Sequence, residues 1–241
     1  MTNIEAWDRV AARRGEAGSP GVVQYGPDLP TEADLRLCGD LSGRRVLDIG
    51  CGAGENAVTM AGQGAHVIAL DVSRAQIALG KRLAEAAEIR VEWHESDAAD
   101  LAFLRADSID LALAANVVHE IEDFDRLLRQ VQRVLRPGSA FVFSHEHPMR
   151  LAVARDGTGP GVLPLGRLEV RRSYFDSAPM ITTLDDEKIQ MWPRTIAEVF
   201  SALHRAGYRV DALLEPEPVR SDDPGPATPT SIIWRARKEG L

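Results

Sequence analysis

Between residues 44 and 145, short apolar runs alternate with helical patterns, and this alternation constrains the fold more than any other feature of the 241-residue chain. The runs are Arg45-Val46-Leu47-Asp48-Ile49, His66-Val67-Ile68-Ala69-Leu70, Ile109-Asp110-Leu111-Ala112-Leu113 and Ala140-Phe141-Val142-Phe143-Ser144. A nearly continuous apolar strand belongs in a sheet covered on both faces, which implies parallel strands joined by crossover helices. Ile89 to His94 instead alternates apolar and polar residues, as a strand near a sheet edge does. The gaps read as helices. Ser73-Arg74-Ala75-Gln76 is a capping-box pattern opening an Ala-rich stretch to about Glu88, and Phe124, Leu127, Leu128, Val131 and Leu135 form one helical stripe. Arg136-Pro137-Gly138 then reads as a stop. A second capping box, Thr195-Ile196-Ala197-Glu198, opens a helix closing at Gly207, before strand-like runs at Tyr208 to Leu214 and Ser231 to Trp234. The expected class is α/β, a doubly wound sheet with helices on both faces.

Two segments break this rhythm. Pro148 to Met191 holds four glycines and two prolines within Gly157 to Gly166, too long a connection unless it covers a site or is a flexible insertion. Glu215 to Thr230 is proline-rich and reads as a surface loop. The division expected is a helical cap over 1–40 and one domain over 41–241, with a lid at about 148–192. With 28 Lys plus Arg against 36 Asp plus Glu the net charge is −8, and the basic pairs are isolated, so no nucleic-acid partner is expected. No apolar run approaches the roughly 18 residues of a membrane span, so no membrane is expected. Met1 to Arg14 lacks the apolar core of a secretion signal, and Cys38 and Cys51 form no disulfide framework, which together point to the cytoplasm.

Asp48-Ile49-Gly50-Cys51-Gly52-Ala53-Gly54 follows a strand and precedes a helix. Glycines there permit a tight turn and close approach of a ligand to the backbone. A dinucleotide site would place a third glycine where this chain has Glu55, whose carboxylate would repel a pyrophosphate, and no Tyr-x-x-x-Lys occurs. Asp71 lies 21 residues after Gly50, where an acid can accept both hydroxyls of a ribose, and Asp97 follows the third strand. Asp48, Asp71 and Asp97 thus mark three successive strand ends, the edge at which open α/β sheets bind ligands.

These residues resemble the class I S-adenosylmethionine-dependent methyltransferases, of the bacterial small-molecule type. Val46-Leu47-Asp48-Ile49-Gly50-Cys51-Gly52-Ala53-Gly54 is similar to the family's first motif. Leu70-Asp71-Val72-Ser73, Asp97-Ala98-Ala99-Asp100-Leu101, Ser108-Ile109-Asp110-Leu111 and Arg133-Val134-Leu135-Arg136-Pro137-Gly138 continue the likeness. The resemblance implies a Rossmann-like seven-stranded sheet whose last strand is antiparallel. It implies that S-adenosylmethionine is the cofactor and S-adenosylhomocysteine the product. Asp48 and the three glycines Gly50, Gly52 and Gly54 would border its methionine end, Asp71 with Val72 its ribose, and Asp97 with the Ala98 backbone its adenine. Asn116 would offer a carbonyl to the cofactor amine, and Tyr25, in a stretch resembling one that precedes the first motif, is an expected contact.

Methyl transfer from a sulfonium needs alignment and exclusion of water above all, with a general base where the acceptor must lose a proton. His119, His145 and His147 lie just past strand ends and are the candidate bases, with His145 and His147 expected on one face. His-x-His alone supplies two ligands, so no metal is expected. Tyr174, Phe175 and Trp192, with Tyr25, are the aromatic candidates for an acceptor pocket. The expected acceptor is a small molecule methylated on oxygen, nitrogen or carbon. A nucleic-acid or protein acceptor, or cofactor binding without transfer, are the alternatives. The apolar insertion offers a face on which two copies would pair as a homodimer.

Overall fold

In the computed structural model, which describes residues 3–154, 169–217, 219 and 228–240, the apolar runs become neighbouring strands of one sheet. In chain order the elements are α1 (Asn3–Arg14), α2 (Glu32–Leu35), β1 (Arg45–Ile49), α3 (Glu55–Gly62), β2 (His66–Asp71), α4 (Arg74–Ala86), β3 (Glu92–Glu95) and β4 (Ile109–Ala114). A 3-10 turn at Val118–Glu120 precedes α5 (Phe124–Val134), β5 (Leu135–Glu146), α6 (Pro148–Ala152) and the short pair β6 (Val153–Ala154) and β7 (Glu169–Val170). Then come β8 (Met180–Leu184), β9 (Glu187–Met191), α7 (Ile196–Arg205), β10 (Tyr208–Leu214) and β11 (Ser231–Lys238).

The seven-stranded sheet has the order β10-β11-β5-β4-β1-β2-β3. Strands β1 to β5 are mutually parallel, and the last strand, β11, runs antiparallel to both β5 and β10. Successive residues alternate between two cores. Leu47, Ile49, Phe141, Phe143 and Trp234 pack under α5 and α7. Val46, Val67, Leu111 and Val142 pack under α3 and the 23–41 segment. Both faces are buried, so the parallel half of the sheet forms from apolar runs as the sequence requires.

Strand order reverses between β1 and β4, the position at which sheets of this kind bind ligands. Two boundaries differ from the sequence reading. Helix α5 ends at Val134 and the chain enters β5 directly, so Arg136-Pro137-Gly138 lies within a strand, exposed, with Gly138 at φ +80°. The edge strand is Glu92–Glu95 rather than Ile89 onward, because Ile89 N–H still bonds the Ala84 carbonyl of α4. The glycine- and proline-rich stretch 155–168 and most of the proline-rich loop, 220–227, lie outside the described residues. Inside the insertion, β8 and β9 form a hairpin whose tip residues Asp185 and Asp186 both have positive φ, the backbone that a two-residue turn demands.

Candidate active site

The turn after β1 uses its three glycines for different ends. Gly50, Gly52 and Gly54 all have positive φ, at +63°, +54° and +81°. A Cβ on Gly50 would lie 2.6 Å from the Val117 side chain, and one on Gly54 would lie 2.5 Å from the Trp93 ring. A Cβ on Gly52 would meet nothing within 4 Å, so this glycine borders open space. Its N–H donates to Asp71 Oδ2 at 2.9 Å, while Ser73 N–H donates to Asp71 Oδ1 at 2.8 Å. Asp71 thereby ties the end of β2 to the turn. The Val72 backbone adds a weaker bond to the same carboxyl, which burial nonetheless raises above its ordinary range.

The capping box expected at Ser73 is half formed. Ser73 Oγ accepts from Gln76 N–H at 3.1 Å, but Gln76 Oε1 is buried without a partner, and Asp71 takes the Ser73 N–H instead. Ser73 Oγ in turn donates to Asp8 Oδ1 of α1 at 2.6 Å. Glu55, at the start of α3, accepts from Arg14 at 2.6 Å and from Gly18 N–H at 2.8 Å, so the N-terminal segment holds it.

Asp48 is 1% exposed, and its Oδ2 has no hydrogen-bond partner. Burial, reinforced by Asp71 and Glu55, pushes its carboxyl up to about 8. Asp97 is exposed after β3 and folds back to accept Ala99 N–H at 2.7 Å, with Ala98 buried beside it. Asn116 sits past β4 with φ +55°, and its N–H donates to Ser144 Oγ at 2.8 Å. Ser144 Oγ donates to the Tyr25 carbonyl.

Tyr25 departs from expectation. Its side chain is fully buried, and its hydroxyl bonds Glu32 and lies 3.5 Å from Cys38 Sγ, so the phenol is part of the core rather than a free ligand contact. His145 and His147 require a similar correction, because each has both ring nitrogens engaged. His145 Nε2 accepts from Trp234 Nε1 at 3.1 Å and Nδ1 donates to the Glu146 carbonyl at 2.8 Å. His147 caps α6, accepting from Met149 N–H at 3.1 Å, and donates from Nε2 to Glu215 at 2.7 Å. Their expected common face is divided between the sheet core and a helix cap.

His119 keeps a nitrogen in reserve. Its Nδ1 accepts from Glu146 N–H at 3.5 Å, which leaves the proton on Nε2, 4.0 Å from Glu120 Oε1. Burial, then His145 and Arg194, hold His119 down at about 3, and burial holds His145 at about 4, so both are neutral near pH 7. A small cavity here is lined by His119, His145, Glu146, Leu151, Trp192 and Arg194. Tyr174 is half-buried and accepts from Ile196 N–H at 3.3 Å at the start of α7, whereas Phe175 is exposed.

Sequence reasoning passed over Glu120. Its Oε2 accepts from Trp7 Nε1 at 2.7 Å and from Asn3 Nδ2 at 3.3 Å, both on α1. Burial, assisted by Asp71 and Glu146 against these two bonds, raises its carboxyl to about 7. The contact to Trp7 spans 113 residues, so no local pattern announces it. Among the described residues, no three His, Cys, Asp or Glu side chains gather as a metal site would need.

A family model described as a methyltransferase domain matches residues 47–143, from β1 into β5. A crystal structure of an S-adenosylmethionine-dependent methyltransferase from Mesorhizobium loti superposes with a TM-score of 0.68 at 28% identity, covering 86% of this chain and 96% of that one. The chain thus contains a methyltransferase domain over residues 47–143 and is similar in fold to S-adenosylmethionine-dependent methyltransferases.

Among curated relatives, a demethylmenaquinone methyltransferase from Clavibacter sepedonicus is 37% identical over 179 residues, 67% of this chain and 64% of that protein. A ubiquinone biosynthesis O-methyltransferase from Hahella chejuensis is 30% identical over 104 residues, 43% of this chain and 44% of that protein. The chain thus spans less than half the length of the first curated relatives it matches. The residues fit the cofactor of this methyltransferase family. Gly52 leaves the turn open, Asp71 accepts backbone bonds there while its carboxyl can still accept from hydroxyls, and Asp48 holds a buried, unpartnered oxygen two residues before Gly50.

Proposed function

We propose that this protein transfers a methyl group from S-adenosylmethionine to a small-molecule acceptor. The observation that carries the reading is the glycine turn at the β1–β4 switch point, open at Gly52 and tied to Asp71 at the end of β2, with Asp48 buried in β1 before it and Asp97 following β3 along the same sheet edge. A site of this kind suits a ligand with hydroxyls, an amine and a sulfonium, and it is unsuited to phosphates. The cofactor supplies an activated methyl group. Asp71 would hold the ribose hydroxyls with Val72 beside it, Asp97 and Ala98 the adenine edge, and the Asn116 carbonyl the amine.

The acceptor side is the space past β4 and β5, with His119, Glu120, Glu146 and Trp192 at its border. Helix α1 and the β8–β9 hairpin support a lid there. Asn3 pairs its amide with the Gln190 backbone at 2.8 Å in both directions, and Arg9 and Arg13 hold Glu187 at 2.8 and 2.7 Å. Closure that excludes water and aligns the acceptor contributes roughly 7–11 kcal/mol in reactions of this type. Where the acceptor is a hydroxyl, Glu120 Oε1 is the group suited to take its proton, with the His119 Nε2–H alongside. The relatives named for ubiquinone biosynthesis and demethylmenaquinone favour a small-molecule acceptor. The free, buried Cys38 and Cys51 support a reducing compartment such as the cytoplasm.

Titration calorimetry with S-adenosylmethionine and S-adenosylhomocysteine, followed by transfer of labelled methyl to a panel of small hydroxyl, amine and quinone-type compounds, tests the reading. Micromolar binding of both ligands with label on at least one compound is expected. No binding of either ligand would overturn the reading, and tight binding with no transfer would leave a cofactor-binding protein.

A further inference from the structure

We propose that Asp48 reads the charge of the ligand on the glycine turn, keeping a proton when the site is free or holds a neutral ligand and releasing it when the ligand is cationic. The inference rests on the S-adenosylmethionine reading of the site and adds a property that this reading does not contain: the two cofactor forms bind with different proton counts.

The geometry sets the terms. Asp48 is the penultimate residue of β1, two before Gly50 of the turn, and sits between Ala69 of β2 and Leu113 of β4, neither of which can donate a side-chain bond. Its Oδ2 is buried and unpartnered, a condition that disfavours an ionised carboxylate far more than a protonated one. The titratable groups that act on it from the surrounding elements are all acids. They are Asp71 at the end of β2, Glu55 at the start of α3, Cys51 in the turn and Cys38 after α2.

The other acids have partners that Asp48 lacks. Burial raises the Asp71 carboxyl too, but the Gly52 and Ser73 backbone N–H groups that it accepts oppose that rise. Glu55 is paired with Arg14. Both thiols are held protonated by burial, Cys38 up to about 12. Asp48 alone combines deep burial with an orphaned oxygen. Its carboxyl stands near 8, so it carries a proton at neutral pH.

A cation brought into contact lowers a carboxyl by about 1–3 pH units. S-adenosylmethionine carries a sulfonium, whereas S-adenosylhomocysteine is a neutral thioether, because the electron pair of the broken carbon–sulfur bond stays on sulfur. The two share the same amino-acid head, so proton changes at that head cancel in a comparison. At pH 7 the sulfonium form is therefore expected to expel about 0.4 to 0.9 proton more than the thioether form. Its affinity falls up to about tenfold per pH unit as pH drops from 8, while the affinity of the thioether stays flat. The preference for substrate cofactor over product widens as pH rises from 6 to 8.

Calorimetry of the full chain at pH 7, in phosphate and in Tris, gives the proton count for each ligand from the difference in buffer ionisation heat. The expected result is a count greater by about 0.4 to 0.9 for S-adenosylmethionine, lost in Asp48→Asn together with the pH dependence of the preference. Equal counts for the two ligands, or a wild-type count retained in the variant, overturn the proposal. If the variant does not fold, infrared difference spectra of the wild type decide, since the protonated-carboxyl stretch must vanish on adding S-adenosylmethionine and persist with S-adenosylhomocysteine. Failure of both ligands to bind defeats the cofactor reading as well. Binding with equal counts defeats this inference alone.

Discussion

A methyl group added to Gly54 would fall 2.5 Å from the Trp93 ring and 3.1 Å from the Gly80 Cα, at a backbone φ of +81°. Gly54→Ala is therefore expected to cost about 1–3 kcal/mol in overpacking, with a further 1–2 kcal/mol, roughly, for the left-handed backbone. Gly52→Ala meets no neighbour, so only the backbone strain applies, yet its new methyl group projects into the open space at the turn where the ligand is proposed to lie. Thermal unfolding and ligand titration should separate the two: a large drop in Tm for Gly54→Ala, and a small drop with a disproportionate loss of S-adenosylmethionine affinity for Gly52→Ala. Equal losses of affinity per degree of Tm would mean that Gly52 does not border the ligand. A second contrast lies at Glu120. If it takes the acceptor's proton, turnover rises with pH through about 7, where its carboxyl ionises. Glu120→Gln keeps an oxygen for Trp7 but cannot accept that proton. Its kcat should fall by about 10²-fold or more and lose the rise with pH, while cofactor affinity stays at the wild-type value. An unchanged pH–rate profile would remove Glu120 from the chemistry and leave it as an anchor for α1.

Helix α1 joins two parts of the molecule that are distant in sequence. Ala11 packs with Ala53 of the glycine turn and Leu79 of α4, and Ala6 packs with Ile189 and Met191 of β9. Two polar connections accompany these contacts. Arg9 and Arg13 reach Glu187, but their side chains are 42% and 44% exposed, and exposed pairs contribute about 0–1 kcal/mol. Asp8 Oδ1 accepts from Ser73 Oγ and from Ala75 N–H at 3.1 Å, acting as a cap on α4 supplied by another helix. Loss of a cap costs about 0.5–2 kcal/mol. Urea unfolding should show Asp8→Ala more destabilised than Glu187→Ala, although Glu187 makes the larger number of charged bonds; the reverse order would show that the hairpin latch outweighs the cap. The elements α1 joins differ in how openly the sequence declares them. β1, β2 and β4 are declared by their apolar runs because both faces are buried, and the Thr195–Glu198 capping box forms as the spacing requires. The β8–β9 hairpin is not declared. It lies outside the sheet: β8 is largely exposed, with Ile181 at 65%, and β9 buries only Ile189 and Met191 as apolar residues, against α1, which is too short an alternation to stand out in the sequence. The same division runs through the site. Asp48, Asp71 and the glycines are adjacent to strand ends and legible, whereas the occupation of His145 by Trp234 and of Glu120 by Trp7 depends on contacts 89 and 113 residues apart.

At the scale of the whole molecule, the buried titratable groups divide into two sets with opposite effects on folding. Asp48 and Glu120 have carboxyls raised by burial to about 8 and about 7, and burial also raises Asp71 and Glu146. Between the unfolded carboxyl range near pH 4 and these raised values, the native state holds protons that the unfolded chain has lost, so stability falls as pH rises. His119 and His145 act the other way, because burial keeps them neutral down to about 3 and about 4. Below the unfolded histidine value near 6.5, the unfolded chain takes protons that the native state refuses, and stability falls as pH drops. From about pH 4.5 to 6.5 the two sets oppose each other and the curve is expected to be nearly flat. From about pH 6.5 to 8 the histidines are neutral in both states, and only the acids act. The urea midpoint should therefore decline over that interval, each group still protonated in the native state contributing up to about 1.4 kcal/mol per pH unit. Asp48→Asn should remove most of the decline above pH 7, where Glu120 is already ionised. Saturating S-adenosylmethionine should flatten the same segment in the wild type, since a cation on the turn takes over the role of the Asp48 proton; S-adenosylhomocysteine should raise the midpoint at every pH without changing the slope. A wild-type midpoint that stays level or climbs between pH 6.5 and 8 would show that Asp48 is ionised in the ligand-free fold, and the charge-reading role would fall with it.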